Sequence, residues 1–429
     1  MSQKNRLILL FLITIFLINC PLQSEVSKDR FELTLTKSLK KVINNNPELI
    51  SMGFDIKAKN GKIDRRSKLP NPEFGVEMEN FAGGGEFSGF NQSEITAVLS
   101  QEIPIGPKRS LSVKIAKEEK KLSGFLRDQK LADILEGTKK RFYSLFLLQE
   151  IIALKKERVN KLKEFAIQVR KKVKTGGSSP IEVQRIDIQL LRKQVELKSS
   201  KAEFYSMGVH LASLWGEERF DYEKIVTKED EWDRFPKEQM FCDVSELSPE
   251  LVICKNNIIR SKIELKLTRS MRIPNITISG GVRRHFETGL NSFTAGISIP
   301  IPVFNLNKGA IISARYKINK KVVDFKREEL RIRTELREKC RKLESEFYGL
   351  NVFKNKIIPE FNKTFKIIID GYMAGKSSFF DVMDVYKSEY EIKEEYLRMI
   401  CDCRIKMVEI ERLNGRILNI INKRDENEK

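Results

Sequence analysis

Six cysteines, two histidines and the carboxylates Asp381 and Asp384, three residues apart, are the groups in this 429-residue sequence whose types and placing could do chemistry. Cys20 closes an N-terminal segment in which Lys4 and Arg6 precede an apolar run from Leu7 to Ile18. A basic start, a short apolar run and a cysteine just after it predict a lipoprotein-type signal peptide, residues 1–19, cleaved before Cys20 so that its thiol can be acylated. The other reading is an ordinary signal cut near Gln23-Ser24, and both readings export the chain. Cys401 and Cys403 lie two apart on a predicted helix, point to nearly opposite sides and cannot join each other. Cys242 and Cys254 could pair in an oxidising compartment. With Cys20 acylated, five cysteines remain, so at least one is free or pairs between chains. His210 and His285 are far apart, which suits structural or surface roles. Asp381 and Asp384 open a predicted helix, where carboxylates favour the positive end of the helix dipole. No Gly-rich phosphate loop, metal-ligand cluster or nucleophile motif occurs, so the sequence predicts neither an enzyme nor a bound cofactor or metal.

Composition narrows what can position these groups. The chain is 32% charged and 41% hydrophobic, with 79 Lys+Arg against 59 Asp+Glu and a net charge of +20. The charges are interleaved along helical segments, as in Lys117-Glu118-Glu119-Lys120-Lys121, and read as solvated helix faces rather than a nucleic-acid patch. Past the first 20 residues there is no apolar run of about 18, so no later segment can span a bilayer as a helix. A membrane-spanning part would have to be a β-barrel, the other closed arrangement of backbone hydrogen bonds.

The chain is one unit written twice. Asn46-Pro47-Glu48-Leu49 matches Ser248-Pro249-Glu250-Leu251, and Leu69-Pro70-Asn71 matches Ile273-Pro274-Asn275. Thr96-Ala97 matches Thr294-Ala295, Gly176-Gly177-Ser178-Ser179 matches Gly375-Lys376-Ser377-Ser378, and Leu214-Trp215-Gly216 matches Leu413-Asn414-Gly415. All lie about 200 residues apart and in the same order. The resulting division is a first repeat over 30–216, a linker over 217–244, a second repeat over 245–415 and a charged tail over 416–429.

Each repeat reads as helix, two strands, very long helix, Gly/Ser break and second long helix. Opening helices are expected near Glu32–Lys68 and Ser248–Met271, each stopped by a Pro-Asn step. Hairpins follow over 72–103 and 275–302. Phe74, Val76 and Met78 alternate with polar neighbours, and so do Ile95, Ala97, Leu99 and Ile103. Ile276, Ile278 and Val282, then Phe293, Ala295, Ile297, Ile299 and Ile301, repeat the pattern, which suits strands with one face to lipid and one to water. A half-buried soluble hairpin would alternate in the same way.

From Lys108 to Lys174 no proline occurs, enough for a helix of about 100 Å at ~1.5 Å per residue. Phe142, Leu145, Gln149, Ile152, Lys156, Val159, Leu162, Ala166, Val169 and Val173 recur in steps of three and four, the seam of a coiled coil. The return helix Pro180–Trp215 carries a seam through Val183, Ile186, Leu190, Leu197, Phe204 and Leu211. Lys308–Met373 and Phe379–Asn414 repeat the arrangement, with Pro359 expected to kink or segment the first of them.

Four strands cannot close a barrel alone, and open edges are not tolerated in lipid, so oligomerisation is required if the strands span a membrane. The expected fold is mainly α with a small β-barrel part. Each protomer supplies duplicated long coiled-coil helices and four transmembrane strands, and the assembly is trimeric.

This duplicated plan resembles the TolC-like outer-membrane efflux proteins over nearly the whole mature chain. Gly371-Tyr372-Met373-Ala374-Gly375, followed by Asp381-Val382-Met383-Asp384, is similar to the Tyr-x-x-Gly and Asp-x-x-Asp motif of that family. Thr175 to Arg185 fits the same pattern less closely. Leu69-Pro70-Asn71-Pro72-Glu73, followed by Glu77-Met78-Glu79-Asn80-Phe81, resembles the heavy-metal cation branch, of the Czc/Cus type. The resemblance implies a passive conduit in the cell outer membrane with a periplasmic helical extension. Its implied partners are two further copies of the chain, a periplasmic adaptor (membrane fusion) protein, an inner-membrane RND-type transporter and outer-membrane lipid. It implies that Asp381 and Asp384, with Glu182 from the first repeat, ring the closed periplasmic end of the pore, and that Tyr372 helps hold it shut. Rings of carboxylates around a narrow pore attract cations. Ser377 stands where the family places a gate arginine, so the closed-state bonds must differ here. A type I protein-secretion conduit shares the architecture, and a periplasmic coiled-coil structural protein without a pore is the alternative from another class.

Overall fold

The computed structural model describes residues 31–227 and 248–418. The signal segment with Cys20, Cys242, most of the linker and the last part of the tail lie outside the described residues. The chain divides into two compact units, each drawing on both sequence repeats. One lies within Met1–Val42, Thr138–Phe235 and Leu350–Arg404, the other within Ile43–Gly137, Pro236–Gly349 and Ile405–Lys429.

The second of these units carries a four-stranded antiparallel sheet of β2 (Glu73–Glu79), β3 (Glu94–Ile103), β5 (Ile276–His285) and β6 (Asn291–Ser298), in the order β2-β3-β5-β6. Each repeat supplies one hairpin, and the β3–β5 ladder joins them. The register sets Phe74 beside Leu99, Val76 beside Ala97, and Met78 beside Ile95. It continues with Ala97 beside Val282, and Val282 beside Phe293. Because strand side chains alternate, these residues share one face. None of the described residues covers that face: Phe74 is 71% exposed and Phe293 92%. The opposite face carries Glu79, Glu94, Thr96, Arg283, His285 and Ser292. Arg283 reaches Glu94 at 2.7 Å and Glu79 at 2.8 Å, and His285 bridges Glu94 at 3.0 Å and Ser292 at 2.9 Å. Since β6 ends at Ser298, Ile299 and Ile301 follow the strand rather than belonging to it.

The helices explain where periodicity is reliable and where it is not. The opening segment is not one helix. Strand β1 (Glu32–Thr34) leads into α1 (Leu35–Asn45), and α2 (Pro47–Ser67) starts afresh. Pro47 has no N–H to continue α1, and the Asn46 side chain accepts from Leu49 N at 3.0 Å as an N-cap. The second repeat's α5 (Pro249–Ser270) falls where the sequence places it. Strand β1 pairs in parallel with β4 (Lys224–Val226), a pairing too short for sequence periodicity to reveal.

Helix α3 spans Lys108–Lys174 without a break. Its seam departs from expectation in the middle: Leu148 and Ile151 are buried instead of Gln149 and Ile152, and Lys156 is exposed. Gln149 has other work. Its amide donates to Ile225 O at 3.1 Å and accepts from Ile225 N at 2.7 Å, pinning β4 to the helix. Helix α4 (Pro180–Ala212) ends in a 3-10 turn through Trp215.

In the second repeat, α6 (Lys308–Val352) passes through a π-helical turn, Phe353–Ile357, into α7 (Ile358–Met373). Pro359 sits in the first turn of α7, and the wider π turn accommodates the carbonyl it cannot satisfy. Helix α8 (Phe379–Leu413) completes the repeat. Near its end Arg412 is bound at 2.6 Å to both Asp133 and Glu250, tying α8 to α3 and α5.

The cysteines correct one expectation. Cys254 is free while Cys340 is disulfide-bonded, so a Cys242–Cys254 pair does not form. Cys401 and Cys403 are buried thiols outside any disulfide, and burial pushes both up to about 12, which keeps them protonated and inert.

Candidate functional site at the two helical turns

The turns that close the two long-helix pairs lie in the same compact unit and are built alike. The sequence 171–180 leaves α3 through Gly176 and enters α4 at Pro180, and 370–379 leaves α7 through Gly375 and enters α8 at Phe379. Both glycines sit at φ 76°. Gly177 N donates to Lys172 O at 2.9 Å, and Lys376 N to Gly371 O at 2.7 Å. Gly176 N and Gly375 N close the shorter loops to Val173 O and Tyr372 O at 3.0 and 3.1 Å. These are paired Schellman ends, which need a residue that tolerates the left-handed region.

The structure places each expected site residue on this frame. Tyr372 is 3% exposed. Its ring meets Phe165 edge-on at 5.2 Å within a core of Leu162, Val169, Ile186, Phe379 and Val382. The Tyr372 hydroxyl donates to Glu182 Oε2 at 3.3 Å, and Ser178 Oγ donates to the same oxygen. Burial, then the neighbouring Glu182 charge, raises the Tyr372 hydroxyl above its ordinary pKa, so it stays a donor. Glu182 and Tyr372 therefore tie the start of α4 to the end of α7.

Asp381 does not join that tie. Its Oδ2 accepts from Ser378 N and from Ser378 Oγ, both at 2.8 Å, while Asp381 N donates back to Ser378 Oγ at 3.2 Å. This is a capping box that starts α8. The Ser378 backbone N–H, then its hydroxyl, holds the carboxyl below its ordinary range. Asp384 is one turn further on the same side of α8, as three-residue spacing dictates. It is exposed, and among the described residues it has no ion-pair partner. It borders an open hollow of about 690 Å³ whose lining alternates in charge between Arg158, Arg192, Lys193, Glu196 and Glu394. Cys20 lies outside the described residues.

Two residues of this site were not expected from sequence. Lys172 donates to Tyr372 O at 2.9 Å and stands 4.0 Å over the Tyr372 ring, a cation–π contact. Arg185 lies 4.8 Å over the Phe380 ring. Repeat alignment sets Lys172 against Gly371 and Arg185 against Asp384, pairs with nothing in common, so the duplication carries no signal for either. Ser377, standing where an arginine was expected, donates its N–H to Gly371 O at 3.1 Å.

Among the described residues no helix is long and apolar enough to cross a membrane. Among them also, no group of three or more His, Cys, Asp or Glu is placed to hold a metal.

No family model matches the chain. It is similar to the cobalt-zinc-cadmium resistance protein CzcC of Cupriavidus metallidurans, with 22% identity over 384 residues and 90% of each chain covered. Among solved structures it is similar to the outer-membrane channel OprN, with a TM-score of 0.70 and 12% identity over 89% of each chain. The outer membrane protein VceC of Vibrio cholerae matches with a TM-score of 0.69 and 12% identity, over 89% of this chain and 96% of that one. CusC, described by its transmembrane channel formation, matches at 0.68 and 12% identity, over 92% and 95%. The fold, long paired helices with one small antiparallel sheet, is that of the TolC-like outer-membrane channels.

Proposed function

We propose that this chain, a TolC-like efflux protein of the heavy-metal type by fold and resemblance, is the outer-membrane channel of a tripartite efflux system rather than an enzyme. The observation that carries the proposal is the sheet. It displays an uncovered apolar face backed by a charged and hydrogen-bonded one, and its edge strands β2 and β6 have no further strand beside them among the described residues. An apolar face of this kind suits lipid and a polar face suits a water-filled lumen. The free edges suit closure with further copies, and three would give twelve strands, enough for an aqueous channel. The helices, too polar for lipid, extend into the periplasm, where an adaptor protein and an inner-membrane RND-type transporter supply the drive. Acylation of Cys20 would add a second attachment to the membrane.

The turns are the closed end of the conduit. Asp381 and Asp384 of each copy face the pore as a ring of carboxylates, and the Tyr372–Glu182 tie, braced by Lys172, keeps the ring narrow. Such a ring favours cations, as export of heavy-metal ions would need. The relative named for cobalt, zinc and cadmium resistance supports that substrate class.

The test is single-channel conductance of the purified full-length protein in planar bilayers, beside Asp381→Ala/Asp384→Ala. Cation-preferring pores whose selectivity falls in the double variant are expected. Unchanged selectivity would remove the ring assignment while keeping the channel. A soluble product without pores would return the protein to the coiled-coil structural class.

A further inference from the structure

The sheet stands on a strongly basic hollow that efflux does not require. Where α2 ends, α3 begins and α5 ends, an open hollow of about 660 Å³ is lined by Arg65, Arg66, Lys68, Lys108 and Arg109. Among the described residues no carboxylate lines it. Some of the five cations have partners beside it. Arg66 donates to Ser112 O at 3.3 Å and lies 3.6 Å from Glu119, and Lys68 lies 3.4 Å from Asp64. Lys108 donates to the neutral amide of Asn275, whose own Nδ2 donates to Glu102 at 2.5 Å. Among the described residues Arg65 and Arg109 have no ion-pair partner, and both are exposed. The first turn of the 67-residue helix α3 supplies Lys108 and Arg109, so the positive end of its dipole adds to their charge.

The rest of the lining is apolar. Leu69, Pro70, Pro104, Leu267 and Met271 complete the hollow, with Leu69 47% and Met271 56% exposed. The hollow lies at the foot of the sheet: Asn71 comes just before β2, Pro104 follows β3 directly and Asn275 directly precedes β5. A water-soluble anion would have no use for this wall, whereas a phospholipid has both a phosphate and an acyl chain to place.

We propose that the hollow binds an anionic phospholipid, its phosphate among Arg65, Lys108 and Arg109 and the head of its acyl chain against Leu69 and Met271. The inference rests on the outer-membrane reading of the sheet. Bound there, the lipid fixes the depth of the sheet in the leaflet that borders the helices. It also gives part of the +20 net charge a role.

The experiment titrates the full-length detergent-purified protein with fluorescent phosphatidylglycerol and phosphatidylcholine in mixed micelles, and records conductance from the same preparations. Wild type should prefer phosphatidylglycerol, and Arg65→Gln/Arg109→Gln should weaken its binding about tenfold or more, as loss of two membrane-attracting charges requires. Arg65→Lys/Arg109→Lys, which keeps the charge, should retain most of the preference and shows that the Gln variant has not merely misfolded. Equal binding of both lipids by wild type, or a preference that survives the Gln variant, overturns the proposal. Displacement of the lipid by inorganic phosphate alone would assign the hollow to a free anion and overturn its lipid source. A preparation that conducts but shows no lipid preference sinks this inference only. One that prefers phosphatidylglycerol but never conducts sinks the channel reading instead.

Discussion

The two helical turns share a backbone and differ in almost every side chain that matters. Both end their first helix with a Schellman motif around a glycine at φ 76°, and both begin the next with serine. Yet Val173 in the first turn aligns with Tyr372 in the second, Lys172 with Gly371, Glu182 with Asp381, and Arg185 with Asp384. The two turns share a scaffold and divide the contacts between them. In the second turn the acid at the third helical position caps its own helix. In the first, the matching acid reaches across to Tyr372. The Tyr372–Glu182 bond thus joins the two turns, with the bolt (the donor) in the second and the catch (the acceptor) in the first.

The sharpest way to break this comparison is to remove the bolt. Tyr372→Ala deletes a buried ring packed on Phe165 and Phe379 and should cost about 3–5 kcal/mol, as for other buried aromatics. Val173→Ala at the aligned site removes two methyl groups from a half-buried position and should cost under about 2 kcal/mol. Denaturant unfolding of the detergent-solubilised protein, followed by helical circular dichroism, gives both values. Equal losses would mean that the two turns are interchangeable and that Tyr372 holds nothing special.

This division was only half legible in the sequence. The glycines, the serines and the acids are spaced as the turn requires, so the scaffold could be read by aligning the chain with itself. The α3 seam was readable where leucine, valine and phenylalanine recur. It failed at Gln149, because a polar side chain in a seam gives no sign that it will bind the backbone of Ile225. The four strands and their faces followed from alternation with period two. The split of the opening helix at Asn46-Pro47 was written in the sequence as a cap and a proline, but it was hidden by amphipathic residues on either side. Lys172 and the parallel β1–β4 pair could not be read. Each depends on contacts between segments far apart in sequence, which local pattern does not encode.

A smaller effect tests the shared half of the comparison. Added methyl groups at Gly176 or Gly375 would meet nothing within 4 Å, so their cost is purely that of the backbone conformation. Gly176→Ala and Gly375→Ala should therefore each destabilise by about 1 kcal/mol, and by the same amount within experimental error. Local hydrogen exchange at the two turns would show it even if global unfolding does not. A marked inequality would mean that the two backbones are not equivalent in solution, and the notion of a conserved scaffold carrying divergent side chains would fail.

The smallest expected effect concerns the acid of the second turn and its dependence on pH. Asp381 is held below its ordinary pKa of 3.8 by the Ser378 N–H and hydroxyl. A carboxyl depressed on folding contributes stability that is complete above its unfolded value and is lost as pH falls through its folded value. The capping box at α8 should therefore persist at pH 4 and weaken only on further acidification. Ser378→Ala removes the hydroxyl while leaving the backbone donor, so the Asp381 midpoint should rise part of the way toward 3.8. Carboxyl-carbon NMR of the labelled protein follows Asp381 directly. Glu182 accepts from Tyr372 and Ser178, and among the described residues no bond links it to Ser378, so the Tyr372–Glu182 hydrogen bond should survive the same substitution. Loss of that bond in Ser378→Ala, seen as faster exchange of the Tyr372 hydroxyl proton, would mean that the two acids belong to one network, and the separation of cap from catch would be wrong.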